Sequence, residues 1–282
     1  MSYIYKFSLK PKLLWKDSVF VLGAFESFHK GHFQLIEQAK QLNKPIVLVA
    51  ISNPENLPKN NGKIFSDLKS RLQIIANSGI ENILLIEFNE KIANLEGDYF
   101  INLLIQYGAS DFVIGKNYNF GKLASWNAKK LKEYIPTTQI VDFYYIENKV
   151  KLSTSILKNY LIFGQFKILN SYLNHNYLTY VSCDENLFFK WNTNSIKPNA
   201  GLYVIYFVDP ITQYKFPGIL HISLANKKNQ IFLFNHFNFF EGFIEIIAEY
   251  RIISSTRFDL LEDKDIEGIK KIFFNLYTNS TN

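Results

Sequence analysis

Two histidines three residues apart, His29 and His32, lie in the run Gly23-Ala24-Phe25-Glu26-Ser27-Phe28-His29-Lys30-Gly31-His32. An apolar, β-branched segment, Ser18 to Leu22, comes before it. A segment with helical spacing, Phe33 to Leu42, comes after it, with Phe33, Leu35, Ile36 and Ala39 on one side. This order places the histidines at the carboxyl end of a strand and the start of a helix. Open α/β sheets bind ligands there, and the free N–H groups and positive dipole end of a helix start hold phosphates. A spacing of three lets both side chains reach one ligand from the first helical turn. Gly31 leaves room for a phosphate chain to approach the backbone. An imidazole N–H can stabilise charge developing on a transferred phosphorus without acting as the nucleophile. Two ordinary surface histidines are the plain alternative, because His-x-Gly-His is a weak motif by itself. The apolar strand directly ahead of it is what favours the phosphate reading.

The elements that must position this run alternate. Pro45 to Ile51 is a nearly continuous apolar run, as in a strand covered on both faces. A polar loop covers 52–63, and Ser66 is placed to cap a helix running through Ile75. Then come a strand at Asn82 to Ile86, a helix at Asp98 to Tyr107 and a strand at Asp111 to Ile114. A helix at Ala124 to Tyr134 and an extended piece at Gln139 to Phe143 follow. Strands alternating with helices predict a parallel sheet with helices on both faces. After about Tyr177 the pattern changes to short strands: Leu202 to Val208, Phe216 to Ile222, Gln230 to Phe234 and Phe243 to Ala248. An amphipathic helix, Asp263 to Leu276, ends the series. Consecutive short strands predict an antiparallel barrel or sandwich.

The 282 residues suffice for two domains, and 48% apolar with 20% charged residues is a globular composition. The net charge of +6 suits an anionic ligand. The basic groups Lys129-Lys130-Leu131-Lys132 and Lys227-Lys228 are too short to make a nucleic-acid stripe. Cys183 is the only cysteine, which excludes an internal disulfide and a cysteine zinc site. Residues 1–17 lack a secretory core, and no apolar run is long enough to span a bilayer. A cytoplasmic protein is the expectation, with neither nucleic acid nor membrane as partner.

The stretch Val21–Lys40 resembles the first motif of bacterial FAD synthetases, the FMN adenylyltransferase module of bifunctional riboflavin kinase/FAD synthetases. Pro54 falls where that family has a proline in its flavin-side loop, and 65–72 resembles the helix start after it. Val113-Ile114-Gly115-Lys116-Asn117-Tyr118-Asn119-Phe120-Gly121 resembles a second motif, with matching spacing to Asn127. Leu152-Ser153-Thr154-Ser155-Ile156-Leu157 resembles a third, Ser-Ser-Thr-Arg-Ile-Arg. The pieces keep their order from about residue 18 to 280.

The resemblance implies a Rossmann-like nucleotidyltransferase domain over 1–174. A small antiparallel, riboflavin kinase-like β-barrel with a C-terminal helix would cover 175–282. It implies FAD synthesis from FMN and ATP, with Mg²⁺ accompanying the ATP and no metal ligands supplied by the chain. His29 and His32 would be catalytic. Gly23, Phe25, Gly31, Asn117, Phe120, Ser153 and Thr154 would bind the nucleotide, and Pro54 and Phe65 the flavin.

Several positions depart from the family pattern. Ala24 and Glu26 stand for Asn and Asp, and Ser155 and Leu157 stand for both arginines of the third motif. Those arginines would neutralise the triphosphate. Lys116 or Lys122 is the expected replacement, a point charge in place of a guanidinium fork. In the second half Thr193 is the vestige of the kinase motif, within Phe189-Lys190-Trp191-Asn192-Thr193-Asn194-Ser195. Leu233 falls where the catalytic glutamate belongs and cannot accept a proton. Loss of kinase activity is therefore expected. The alternatives are a bifunctional enzyme and an inactive flavin- or nucleotide-binding homologue.

Overall fold

The segment Ser18–Leu22 is buried at all five positions, as a strand covered on both faces must be. In the computed structural model, which describes residues 2–224, 229–235 and 240–280, it lies inside a six-stranded sheet. The strands are β1 (Tyr3–Lys6), β2 (Ser18–Leu22), β3 (Ile46–Ile51), β4 (Asn82–Ile86), β5 (Ala109–Gly115) and β6 (Gln139–Val141). Their order is β1-β4-β3-β2-β5-β6, and every ladder is parallel. Helices α1 (Lys30–Lys40), α2 (Leu68–Asn77), α3 (Gly97–Tyr107) and α4 (Ala128–Tyr134) fall between the strands. Phe20, Leu22, Val47, Val49 and Leu84 of the sheet share a core with Phe100, Ile101 and Leu104 of α3.

From β2 the chain goes to β3 on one side and later returns to β5 on the other. The switch point therefore lies between the carboxyl ends of β2 and β5, where an open α/β sheet leaves a crevice. The Gly23–His32 run leaves β2 at this end.

The second group of strands is antiparallel: β7 (Tyr177–Ser182), β8 (Phe188–Phe189), β9 (Gly201–Val208), β10 (Lys215–Ile222), β11 (Asn229–Leu233) and β12 (Glu241–Ile252). Their order, β7-β12-β9-β10-β11-β8, makes a half-barrel. The terminal helix α7 (Asp263–Ser280) contributes Ile269 to a core with Leu202, Val204 and Ile219.

The parallel α/β half, the antiparallel half and the final helix are as the sequence predicts. Four local features differ. Tyr3–Lys6 forms a parallel edge strand beside β4 that the lysine-rich N-terminus conceals. The cap of α2 is Asp67, whose Oδ1 accepts the Ser70 N–H at 2.9 Å, while the Ser66 hydroxyl donates to the Leu178 carbonyl. Helix α4 starts at Ala128 because Trp126–Asn127 pairs with Asn119–Phe120, and Asn127 caps the helix.

The fourth is the boundary. Two compact units comprise Met1–Ile64 with Arg71–Thr154, and Phe65–Ser70 with Ser155–Asn282. The division comes at Thr154, ahead of the expected residue 174, because helices α5 (Thr154–Ile162) and α6 (Phe166–Leu173) go with the half-barrel. Phe166 packs on Tyr177 and Tyr203, and the Asn170 amide donates to the carbonyls of Ile246 and Ile247. The basic pair Lys227-Lys228 lies outside the described residues.

Candidate functional site

His29 is the N-cap of α1, in extended backbone at φ −84° and ψ 174°. Its Nδ1 accepts the Gly31 N–H at 3.1 Å, and Nδ1 of His32 accepts the His29 N–H at 3.2 Å. This is a reciprocal capping box built with imidazoles. The two rings stack with centroids 4.0 Å apart and planes 23° from parallel. Phe25 sits 5.0 Å from His32 and 5.9 Å from Phe28. Phe25 and Phe28 both take positive φ, 48° and 44°, a conformation that side-chain-bearing residues hold only where packing enforces it. Both are fully buried.

The glycines serve this packing. A Cβ at Gly23 would come 2.8 Å from the Phe25 ring. One at Gly31 would lie 3.0 Å from Cε1 of His29 and 3.3 Å from Cβ of Tyr144. Gly31 therefore admits the His29 ring to its own helix start, a different service from the phosphate clearance that the sequence suggests.

Burial pushes His29 down to about 4, with the charge of Lys151 adding to the effect. His32 is held well below its ordinary value by burial first, then by His29 and Lys59. Both rings are thus neutral at physiological pH. Because each Nδ1 accepts a backbone N–H, the proton of each neutral ring sits on Nε2. The pair therefore carries two Nε2–H donors at a helix N-terminus.

Two further chain segments reach the Gly23–His32 run. The Ser27 hydroxyl lies 2.8 Å from the Thr154 hydroxyl, which brings the third motif to the first. Buried Glu26 accepts the Asn60 amide at 2.9 Å, and that amide also donates to the Pro54 carbonyl at 2.7 Å. Pro54 is thereby tied to the histidine loop. Arg71 holds the start of the same segment, donating to the carbonyls of Ile51 and Ser52 at 2.8 and 2.7 Å. Ser153 is half-buried beside Thr154.

Other residues singled out from the sequence have different surroundings. Asn117 is exposed, and Phe120 is buried among Phe100, Tyr118 and Trp126. Lys122 lies 3.9 Å from Glu96, and Lys116 lies 3.3 Å from Asp142. Phe65 packs on Tyr177 in the second unit, where the Tyr177 hydroxyl donates to its carbonyl. Thr193 lies in an exposed turn, and Leu233 pairs with Gly218 between β10 and β11. The lysines felt by the histidines, Lys59 and Lys151, carry no motif signal. Only the position of Lys151 two residues before Ser153 hints at it. Among the described residues no three His, Cys, Asp or Glu side chains gather to hold a metal. No described helix is long and apolar enough to cross a membrane.

A parallel α/β sheet, a topological switch point and paired imidazoles at the first helix start define the class of α/β nucleotidyltransferase folds. The chain belongs to the FAD synthetase family, whose model matches residues 12–155. It is 25% identical to the bifunctional riboflavin kinase/FMN adenylyltransferase of Buchnera aphidicola subsp. Schizaphis graminum, over 94% of this chain and 96% of that protein. It is 28% identical to the protein of the same description from Mycoplasma pneumoniae, over 73% of this chain and 76% of that one. Among solved structures, one described as a macrolide-efflux protein from Streptococcus pneumoniae superposes with a TM-score of 0.75. That match covers 98% of each chain at 17% identity, and so shows the shared fold alone.

Proposed function

We propose that the chain transfers the adenylyl group of ATP to FMN, making FAD and pyrophosphate. An oxygen of the FMN phosphate attacks the α-phosphorus in line. The bond from that phosphorus to the α–β bridging oxygen breaks, and its electron pair leaves with pyrophosphate. ATP would arrive as its Mg²⁺ complex, and the ion would offset part of the triphosphate charge. The observation that carries this reading is the neutral, stacked pair His29 and His32 at the start of α1. Two pre-oriented N–H donors aimed at developing phosphoryl charge need no covalent intermediate. The Ser27 and Thr154 hydroxyls, one donating to the other, leave a second O–H as a further donor along the same edge.

The second unit, in this proposal, no longer phosphorylates riboflavin. Leu233 offers no base; of the two acidic neighbours in sequence, Asp184 spends its Oδ1 on the N–H groups of Asn186 and Phe188, and Glu185 is exposed. The deciding experiment incubates the purified chain with Mg-ATP and either FMN or riboflavin, then separates the products by chromatography. FAD formed from FMN, with no FMN formed from riboflavin, supports both parts. Absence of FAD refutes the first part. FMN formed in proportion to enzyme, and lost in Thr193→Ala, refutes the second.

A further inference from the structure

Two segments that carry lysines, Val150–Lys151 and the turn Pro58–Asn60, lie against the Gly23–His32 run; Lys59 is exposed and Lys151 half-buried. Val150 and Lys151 form a short ladder with Ile146 and Tyr145. The chain entering that ladder passes the start of α1, where Cβ of Tyr144 limits the space over Gly31, and the Leu152 N–H donates to the Tyr144 carbonyl at 2.9 Å. Nζ of Lys151 sits 3.9 Å from the centre of the Phe143 ring. Lys59 belongs to the turn Pro58–Asn60, which the Asn60–Glu26 hydrogen bond fastens to the histidine loop. The charge of Lys59 is felt at His32 and that of Lys151 at His29, and the two lysines repel one another.

Several other lysines of this unit face carboxylates, although Lys30, Lys91 and Lys132 are absent from the ion pairs among the described residues, as Lys59 and Lys151 are. Lys44 lies 2.7 Å from both Asp17 and Asp111, Lys116 faces Asp142, and Lys122 faces Glu96. The ion pairs among the described residues include neither Lys59 nor Lys151. Burial, and then the charge of Lys59, holds the Lys151 ammonium below its ordinary value. Two cations without a carboxylate partner, on segments that touch the loop bearing two neutral N–H donors, form an arrangement that an anion stabilises.

We propose that Lys59 and Lys151 clamp the triphosphate of the nucleotide where their two segments meet the histidine loop. The clamp rests on the adenylyl-transfer reading of the same site. As point charges on flexible stems the lysines follow the phosphate oxygens, and they also meet the charge that grows on departing pyrophosphate. They take the part that the sequence offers to Lys116 and Lys122.

Inorganic tripolyphosphate tests the clamp, because it carries neither adenine nor flavin. Its binding to the full chain is measured by titration calorimetry for the parent, Lys59→Gln, Lys151→Gln, Lys151→Arg and the surface control Lys129→Gln. Each glutamine variant in the pair should bind about tenfold or more weakly, the effect of losing one hydrogen bond to a charged group. Lys151→Arg should recover most of that loss, and Lys129→Gln should match the parent. Circular dichroism checks folding, and Lys151→Met, which keeps the stem on Phe143, replaces a glutamine variant that unfolds. Parental binding by both pair variants, an equal loss in Lys129→Gln, or no binding by the parent overturns the clamp. Lysine-dependent binding in a chain that makes no FAD keeps the clamp and removes the adenylyl-transfer reading. Parental KM for ATP in the double variant does the reverse.

Discussion

The hydroxyls of Ser27 and Thr154 meet at 2.8 Å across 127 residues of sequence. Ser27 lies between Phe25 and Phe28, the two loop residues forced to positive φ. The contact therefore pins a strained loop to the segment that carries Lys151 and Ser153. Thr154→Val keeps the shape and removes the hydroxyl. It should cost about 1 kcal/mol of stability, and it should raise KM for ATP more than KM for FMN. Urea midpoints and steady-state rates measure the two effects. Unchanged ATP kinetics would detach the third motif from the nucleotide.

His32→Ala removes one of the two Nε2–H donors while leaving the apolar loop in place. Turnover in FAD synthesis should fall about a hundredfold or more, the usual cost of one donor to a developing charge. FMN affinity, measured by flavin fluorescence, should stay within a few-fold of the parent. Equal turnover in variant and parent would remove these histidines from the chemistry.

The buried histidines also set a pH dependence. In the unfolded chain a histidine titrates at its ordinary value near 6.5, whereas folded His29 titrates at about 4. Between those values the unfolded state binds the extra proton, so protonation favours unfolding. Stability is at its full value above pH 6.5. It should fall by about 1.4 kcal/mol per pH unit for each such histidine as the pH drops, levelling below the folded value. His32, displaced in the same direction, steepens the slope. Denaturant midpoints at pH 8, 7, 6 and 5 measure it, and His29→Gln should flatten it. A slope unaltered in that variant would contradict neutral burial.

Arg71 is one of only three arginines, and it is 2% exposed. Its guanidinium bridges the carbonyls of Ile51 and Ser52, just ahead of the Pro54 turn. A lysine cannot reproduce that fork. Arg71→Lys should cost roughly 1–3 kcal/mol by leaving a buried acceptor unmet, and it should loosen the 54–60 segment. Chemical denaturation and amide exchange at Asn56 and Lys59 read these two effects. Parental exchange there would show that the segment is held by Glu26 and Asn60 alone.

Much of this protein follows from local sequence. The apolar run Ser18 to Leu22 could only be a buried strand, and the residues after it could only be a turn and a helix start. Short-range physics governs such features: burial of consecutive side chains, capping by neighbours and the spacing of His29 from His32. For the same reason Asn82 to Ile86 and four of the half-barrel strands were legible from alternation and apolar runs, whereas Tyr177–Ser182 and Phe188–Phe189 were not.

Tertiary structure alone decided which distant residues share the site. No local pattern marks Lys59 or Lys151, since a lysine reads the same whether or not its segment folds against the histidine loop. Nor does one separate Asp67, which caps α2, from Ser66, whose hydroxyl turns to Leu178. Phe65 reads as the start of a helix motif and a flavin contact, while its ring packs on Tyr177, 112 residues away. The helices α5 and α6 join the half-barrel through Phe166 and Asn170, contacts that exist only once both chain segments are folded. Periodicity records which side of an element is apolar; which partner covers that side is settled by the competition among all such surfaces for burial.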